Sequence, residues 1–376
     1  MQPLQVDPGS IHENSSLRPS HPMKDLDHSN VHFSFENLPV TLHLFNLYWR
    51  EHIHSRSSSQ IQILVKKFKH RMRQYPKPFQ MRFTLIHSLG TTDESGTDDN
   101  HFSYPSDVKV SYNHSCIIVC DHMNGRLQLF HLNTKKFMTS ISHTLTLTHP
   151  ITQIVEQSYK GCYEDAIIFA GVADAMYKFD LGELIEQAKE RPNEPLPYIW
   201  KHEKFNCPRG ITVTNCKVYV SDMYENLVKI LDSVNGQLLC SMSIQSPTGV
   251  DFTSKGLLLI GQGDPLHCVN MFQHGESSAL NDWKSMKQCG HGGEHSTIFK
   301  TPYSVVYDKT AKNFIVSDTD NNRIQILSED GQLLRVFGSF GTNWREFKNP
   351  CGMTLNEQHG ELMVCDTENH RIQIFQ

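Results

Sequence analysis

Thr301-Pro302-Tyr303-Ser304-Val305-Val306-Tyr307, Ile315-Val316-Ser317-Asp318 and Asn322-Arg323-Ile324-Gln325-Ile326-Leu327 form one phrase. It recurs 48 residues on as Asn349-Pro350-Cys351-Gly352-Met353-Thr354-Leu355, Met363-Val364-Cys365-Asp366 and His370-Arg371-Ile372-Gln373-Ile374-Phe375. Each copy reads as three strands. The first opens just after a proline and alternates with period two. The second is β-rich and ends at Asp. A turn of Asp and Asn, residues that tolerate left-handed backbone, follows. The third then puts Ile on one face and Arg and Gln on the other. Asp330-Gly331 supplies a hairpin turn into a fourth strand, Leu333 to Phe340. Short strands at a fixed period of this size mean a radial array, and four antiparallel strands per period make a propeller blade.

Working outward, the segment before Pro350 reappears near the start. Phe83 to Gly90 resembles the fourth strand ending at Gly341, and Phe102-Ser-Tyr-Pro105 parallels Phe347-Lys-Asn-Pro350. The last blade has three strands by Gln376, so residues 83–90 are expected to supply its outer strand and close the ring. Blades open at Pro105, Pro150, Pro208, Pro247, Pro302 and Pro350, which predicts a six-bladed all-β propeller over 83–376.

The pairs Asp121 with Arg126, Asp318 with Arg323 and Asp366 with Arg371 flank the same turn. Opposite charges there are expected to form bidentate pairs that fix the hairpin register, a structural role because it is repeated. Three blades depart from the pattern. The one from Pro208 keeps Asp222 and Asn226 but has Leu227 for Arg; the one from Pro150 reads as Gly171 and Met176. The one from Pro247 reads as Gly261, with a longer turn through Pro265. Residues 181–203 are expected to hold a short helix, Leu184 to Lys189, and 273–297 a polar loop.

The chain has 376 residues, 38% of them apolar and 20% charged, enough to bury a large core. Residues 1–30, rich in Pro, Ser and His, read as a disordered tail. Over 31–80, Leu42, Phe45, Tyr48, Trp49 and Ile53, then Ile61, Leu64, Val65, Phe68 and Met72, recur at helical spacing; the second helix carries Lys66, Lys67, Lys69, Arg71 and Arg73 on its other face. No export signal, no Cys-x-x-Cys pair and no membrane-length apolar stretch is read, which favours a cytoplasmic location.

The combination of Asp, Asn-x-Arg-Ile-Gln and a Pro-Gly strand opening resembles the NHL-repeat family of β-propellers. The resemblance covers roughly 83–376 and is clearest in the blades from Pro105, Pro302 and Pro350. It implies a rigid disc, often the substrate-recognition module of a ubiquitin ligase. The RING that accompanies such modules is not read here, so the ligase activity would be recruited. Some relatives read RNA through a basic face. From Phe83 onward, however, 24 Lys and Arg face 34 Asp and Glu, a balance of −10, which opposes phosphate binding. A six-bladed relative, the amidating lyase, holds a metal with channel histidines. The counterpart candidates are Cys289, His291 and His295, with His267 as a further one, but Gly292-Gly293 oppose the helix that would stack a His-x-x-x-His pair. No catalytic constellation is defended and no cofactor is assigned. Loop residues Arg209, Tyr224, Tyr303, Trp344 and Arg345 are residue types that anchor interfaces. The expected function is therefore a monomeric, non-catalytic scaffold for other proteins, with RNA recognition and metal-dependent lyase chemistry as the alternatives.

Overall fold

A computed structural model describes residues 76–142, 149–160, 164–171, 175–191, 194, 198–277, 279–290 and 298–376. The expectations for 1–30, for 31–75, and for His291 and His295 lie outside the described residues. Six four-stranded antiparallel sheets account for the named strands. Their innermost strands are Pro105–Ser111, Pro150–Glu156, Pro208–Thr214, Pro247–Phe252, Pro302–Asp308 and Pro350–Asn356. Each packs beside the next, and the last packs beside the first, so the sheets are the blades of a closed six-bladed propeller.

Blade six takes its outer strand from Leu85–Leu89, which pairs with Arg371–Phe375, Leu85 opposite Phe375 and Leu89 opposite Ile372. Thr84 and Gln376 exchange backbone hydrogen bonds of 3.0 Å at the end of this ladder. Beside it, Phe83 is 1% exposed and stacks on Phe337 with centroids 4.0 Å apart, while Phe79 and Phe375 meet it edge-on. Residues 76–80 have no regular secondary structure, and the Phe79 amide donates to Asp308 Oδ2 at 2.8 Å.

The apolar core lies between blades. Among the described residues each adjacent pair shares one cluster, as where Ile118, Leu127 and Leu129 of blade one meet Ile167 and Phe169 of blade two. This follows from the strand pattern, since the middle strands of a blade are covered on both faces. Helix α1, Leu181–Glu190, lies between the third and outer strands of blade two and buries Leu181, Leu184 and Ile185. It is a turn longer at its start than the spacing predicts, because Asp180 Oδ1 caps it by accepting from the Glu183 amide. The expected polar loop at 273–297 is corrected. Cys268–His274 and Trp283–Cys289 pair as the third and outer strands of blade four. The outer strand is mostly exposed, so its sequence carries no apolar alternation.

One device joins blades at the end where the innermost strands begin, the upper end of the propeller. The residue before each opening proline (Tyr104, His149, Cys207, Ser246, Thr301, Asn349) has positive φ, between 46° and 71°. Four of these amides are held by a side chain of the preceding blade. Ser246 donates to Asn226 Oδ1 (2.8 Å), Asn349 to Asn322 Oδ1 (2.9 Å), Thr301 to His267 Nδ1 (3.1 Å) and Tyr104 to His370 Nδ1 (3.2 Å). The acceptors are themselves left-handed turn residues, so one residue sets the turn and clamps the next blade. His267 thus has a structural task.

Phe83→Ala is expected to cost about 3–5 kcal/mol in chemical denaturation, the range for deleting a buried aromatic. A cost under about 1 kcal/mol would mean that the first strand does not hold the ring. The His370 clamp predicts a pH dependence. Burial holds this imidazole below its ordinary 6.5, with Lys348 acting in the same sense and Asp93, Asp121 and Glu368 opposing. The unfolded chain therefore takes the proton first, and stability present above pH ~6.5 is lost as pH falls through the folded value. His370→Asn, which places Asn322's residue type in the same turn, is expected to flatten the fall in melting temperature between pH 7 and 5.

Candidate functional site

The upper face is built on a buried carboxylate that ends the second strand in four of the six blades. In all four its Oδ1 accepts a backbone amide from the incoming loop: Ser103 to Asp121 and Asn206 to Asp222 at 2.7 Å, Lys300 to Asp318 at 2.6 Å, Lys348 to Asp366 at 2.7 Å. The other oxygen takes Arg Nε at 2.6 Å from Arg126 and Arg323, and at 2.7 Å from Arg371. Gln128, Gln325 and Gln373 donate to it as well. The expected bidentate pairing is corrected. Only Nε reaches the carboxylate, and the terminal nitrogens cross to the loops, as in Arg371, where one donates to the Asn343 and Glu346 carbonyls and the other to Thr92 Oγ1. The guanidinium staples the loop before a blade to the hairpin beneath it.

The departures are resolved by register. In blade three Lys229, at the Gln position, pairs with Asp222 at 2.6 Å and replaces the missing Arg. In blade four Pro247 lies opposite Gln262, so Gln262 and not Gly261 takes the Asp position, bonded to Asn270. In blade two Gly171 is confirmed opposite Pro150, but Ala170 pairs with Met176, which leaves Ala175 at the Arg position.

The centre of the face is different. Every innermost ladder slips register immediately after its proline. Such a slip re-aims a side chain, and the residue after the proline leaves the ladder. Two of these residues, Arg209 and Tyr303, line a cavity of about 120 Å³ on the propeller axis, to which all six blades contribute. Close approach at this level is permitted by glycine. A Cβ on Gly210 would stand 2.4 Å from the Thr248 carbonyl oxygen. Arg209 NH1 donates to Tyr303 Oη at 3.1 Å, and its guanidinium carbon lies 5.4 Å from the centre of that ring. Burial raises the Tyr303 phenol well above its ordinary value, so it stays protonated. Burial pushes the neighbouring Cys351 thiol up to about 11. Burial also lowers His122, and the charges of His149 and Arg209 act in the same sense.

The other expected contact residues share the upper end but not the cavity. Tyr224 is 63% exposed in the turn of blade three. Trp344, 47% exposed, carries the Arg345 guanidinium 4.8 Å from its ring in the loop between blades five and six. The contact between Arg209 and Tyr303 was not readable, because it passes over blade four and joins residues 94 positions apart. Cys289, a metal candidate from sequence, is the last residue of a strand, 4% exposed among Leu259, Met271 and Phe299. Burial holds its thiol at about 11, far from thiolate.

Arg371→Ala is expected to destabilise by about 3–5 kcal/mol, the cost of stranding a buried carboxylate. Asp366→Asn in that background should recover part of the loss in urea denaturation. Two additive losses would contradict the stapling role.

No curated protein matches this sequence. The NHL repeat model matches residues 347–375. Among solved structures the chain resembles an auxiliary nutrient binding protein from Bacteroides thetaiotaomicron VPI-5482, at 15% identity and a TM-score of 0.55, over 77% of this chain and 76% of that one. The corresponding protein of Bacteroides ovatus ATCC 8483 is 11% identical with a TM-score of 0.55, over 78% and 77%. At these identities the likeness is one of fold. With an NHL repeat at 347–375 and six four-stranded blades in a closed ring, the chain is a six-bladed β-propeller that carries an NHL repeat.

Proposed function

We propose that this propeller is a non-catalytic recognition module for other proteins, with its upper face as the contact surface. One observation carries the reading. Tyr104, Met123, Tyr224, Ile298, Phe340 and Trp344 are all exposed large apolar residues, and all lie on loops or turns at the upper end. They are six of the fifteen exposed large apolar residues among the described ones, and they share this end with the loops that a rigid disc holds in place, the kind of surface on which binding residues occur. The setting we propose is cytoplasmic, with the propeller acting as a monomer that selects substrates for a ubiquitin ligase supplied by another chain. No helix among the described residues is long and apolar enough to cross a membrane.

Affinity capture with the full chain, with and without ribonuclease, tests this. Protein partners are expected to persist after ribonuclease and to be lost together in a Tyr224→Ser, Trp344→Ser double variant. Partners that vanish with ribonuclease would replace this reading with RNA recognition.

A further inference from the structure

We propose that the channel mouth between Arg209 and Tyr303 is a binding site for a single carboxylate group. The other cation lining the cavity is already neutralised, since Lys109 Nζ sits 2.6 Å from Asp107 Oδ1. Arg209 is not. Its one hydrogen-bond partner among the described residues is the neutral Tyr303 hydroxyl, and no carboxylate there lies within ion-pairing distance. A half-buried guanidinium with one of its five donors used is costly to hold without an anion. The cost becomes intelligible when an anion is the ligand.

Geometry and charge then narrow the class. A guanidinium offers a planar fork that matches the two oxygens of a carboxylate. Tyr303 Oη accepts from Arg209 and keeps its own proton free to donate. About 120 Å³ holds several water molecules, or a carboxylate with the carbon that bears it. Asp107 and Asp251 line the same cavity, with Lys109 as the one cation there besides Arg209, and they disfavour a doubly charged phosphate. A singly charged planar group is the better fit. It can come from a small free acid or from a partner chain, and the second source rests on the protein-recognition reading above.

The site is tested on the full chain by calorimetry and thermal melting, independently of any captured partner. The probes are sodium acetate, sodium phosphate, sodium chloride at matched ionic strength, and a short Gly-Ala peptide with either a free or an amidated C-terminus. Acetate is expected to saturate and to raise the melting temperature beyond chloride, with phosphate weaker. Arg209→Met should abolish this response while raising the melting temperature of the unliganded protein, because the unpaired charge is gone. Tyr303→Phe should weaken binding about threefold to tenfold, the loss of one hydrogen bond. A peptide that binds more tightly than acetate only when its terminus is free supports a partner as the source, and equal affinities support a free acid. Absence of saturation by every carboxylate, a response retained in Arg209→Met, or tighter binding of phosphate overturns the proposal.

Discussion

Burying a carboxylate is the constraint on which this propeller turns. Asp121, Asp222, Asp318 and Asp366 are fully covered; amide, guanidinium and carboxamide donors converge on the oxygens of Asp121, Asp318 and Asp366, and an amide and the Lys229 ammonium on those of Asp222, and only this makes their burial stable. The carboxylate cannot be satisfied by its own hairpin. It needs the amide of the loop that enters the blade, and its Arg needs the carbonyls of that loop. Blade and connection therefore fold as one object. Where the acid is absent the need disappears with it, as in blade two, where Gly171 and Ala175 face each other without charge.

A second constraint acts between blades. Apolar surface alone would let neighbouring sheets slide, since dispersion is undirected. The clamps from Asn226, His267, Asn322 and His370 fix the spacing by direction as well as contact. The glycines at the axis limit it from the other side, because a Cβ on Gly352 would meet Asp107 Oδ1 at 2.4 Å.

Much of the ring was legible because its signals are local. Proline before an alternating strand, Asp before a turn and Arg after it all lie within one pair of hairpins, so the blades from Pro105, Pro302 and Pro350 carry the same spaced signal. Closure by residues 83–90 was legible because the outer strand brings its Gly and its Phe-x-x-Pro with it. What failed was displaced or one-sided. Lys229 serves in place of Leu227 because residues two apart share a face, a substitution that alignment reads as a loss. Gln262 is hidden because Gly261 stands 14 residues after Pro247, as Asp222 stands 14 after Pro208. The outer strand at Trp283–Cys289 has little to bury, so no periodicity announced it. The meeting of Arg209 with Tyr303 depends on the order of blades round an axis, which no spacing along the chain encodes.

The register slip after each proline has a further meaning. It removes six side chains (Ser106, Ile151, Arg209, Thr248, Tyr303 and Cys351) from the ladder while leaving the strands that carry them fixed by proline, glycine and the clamps. Hydroxyl, thiol, aliphatic, phenol and guanidinium groups all occur at this one structural position. The scaffold thus separates what must be repeated from what is free to differ. Exchanging these six residues offers a way to rewrite the chemistry of the axis without redesigning a blade.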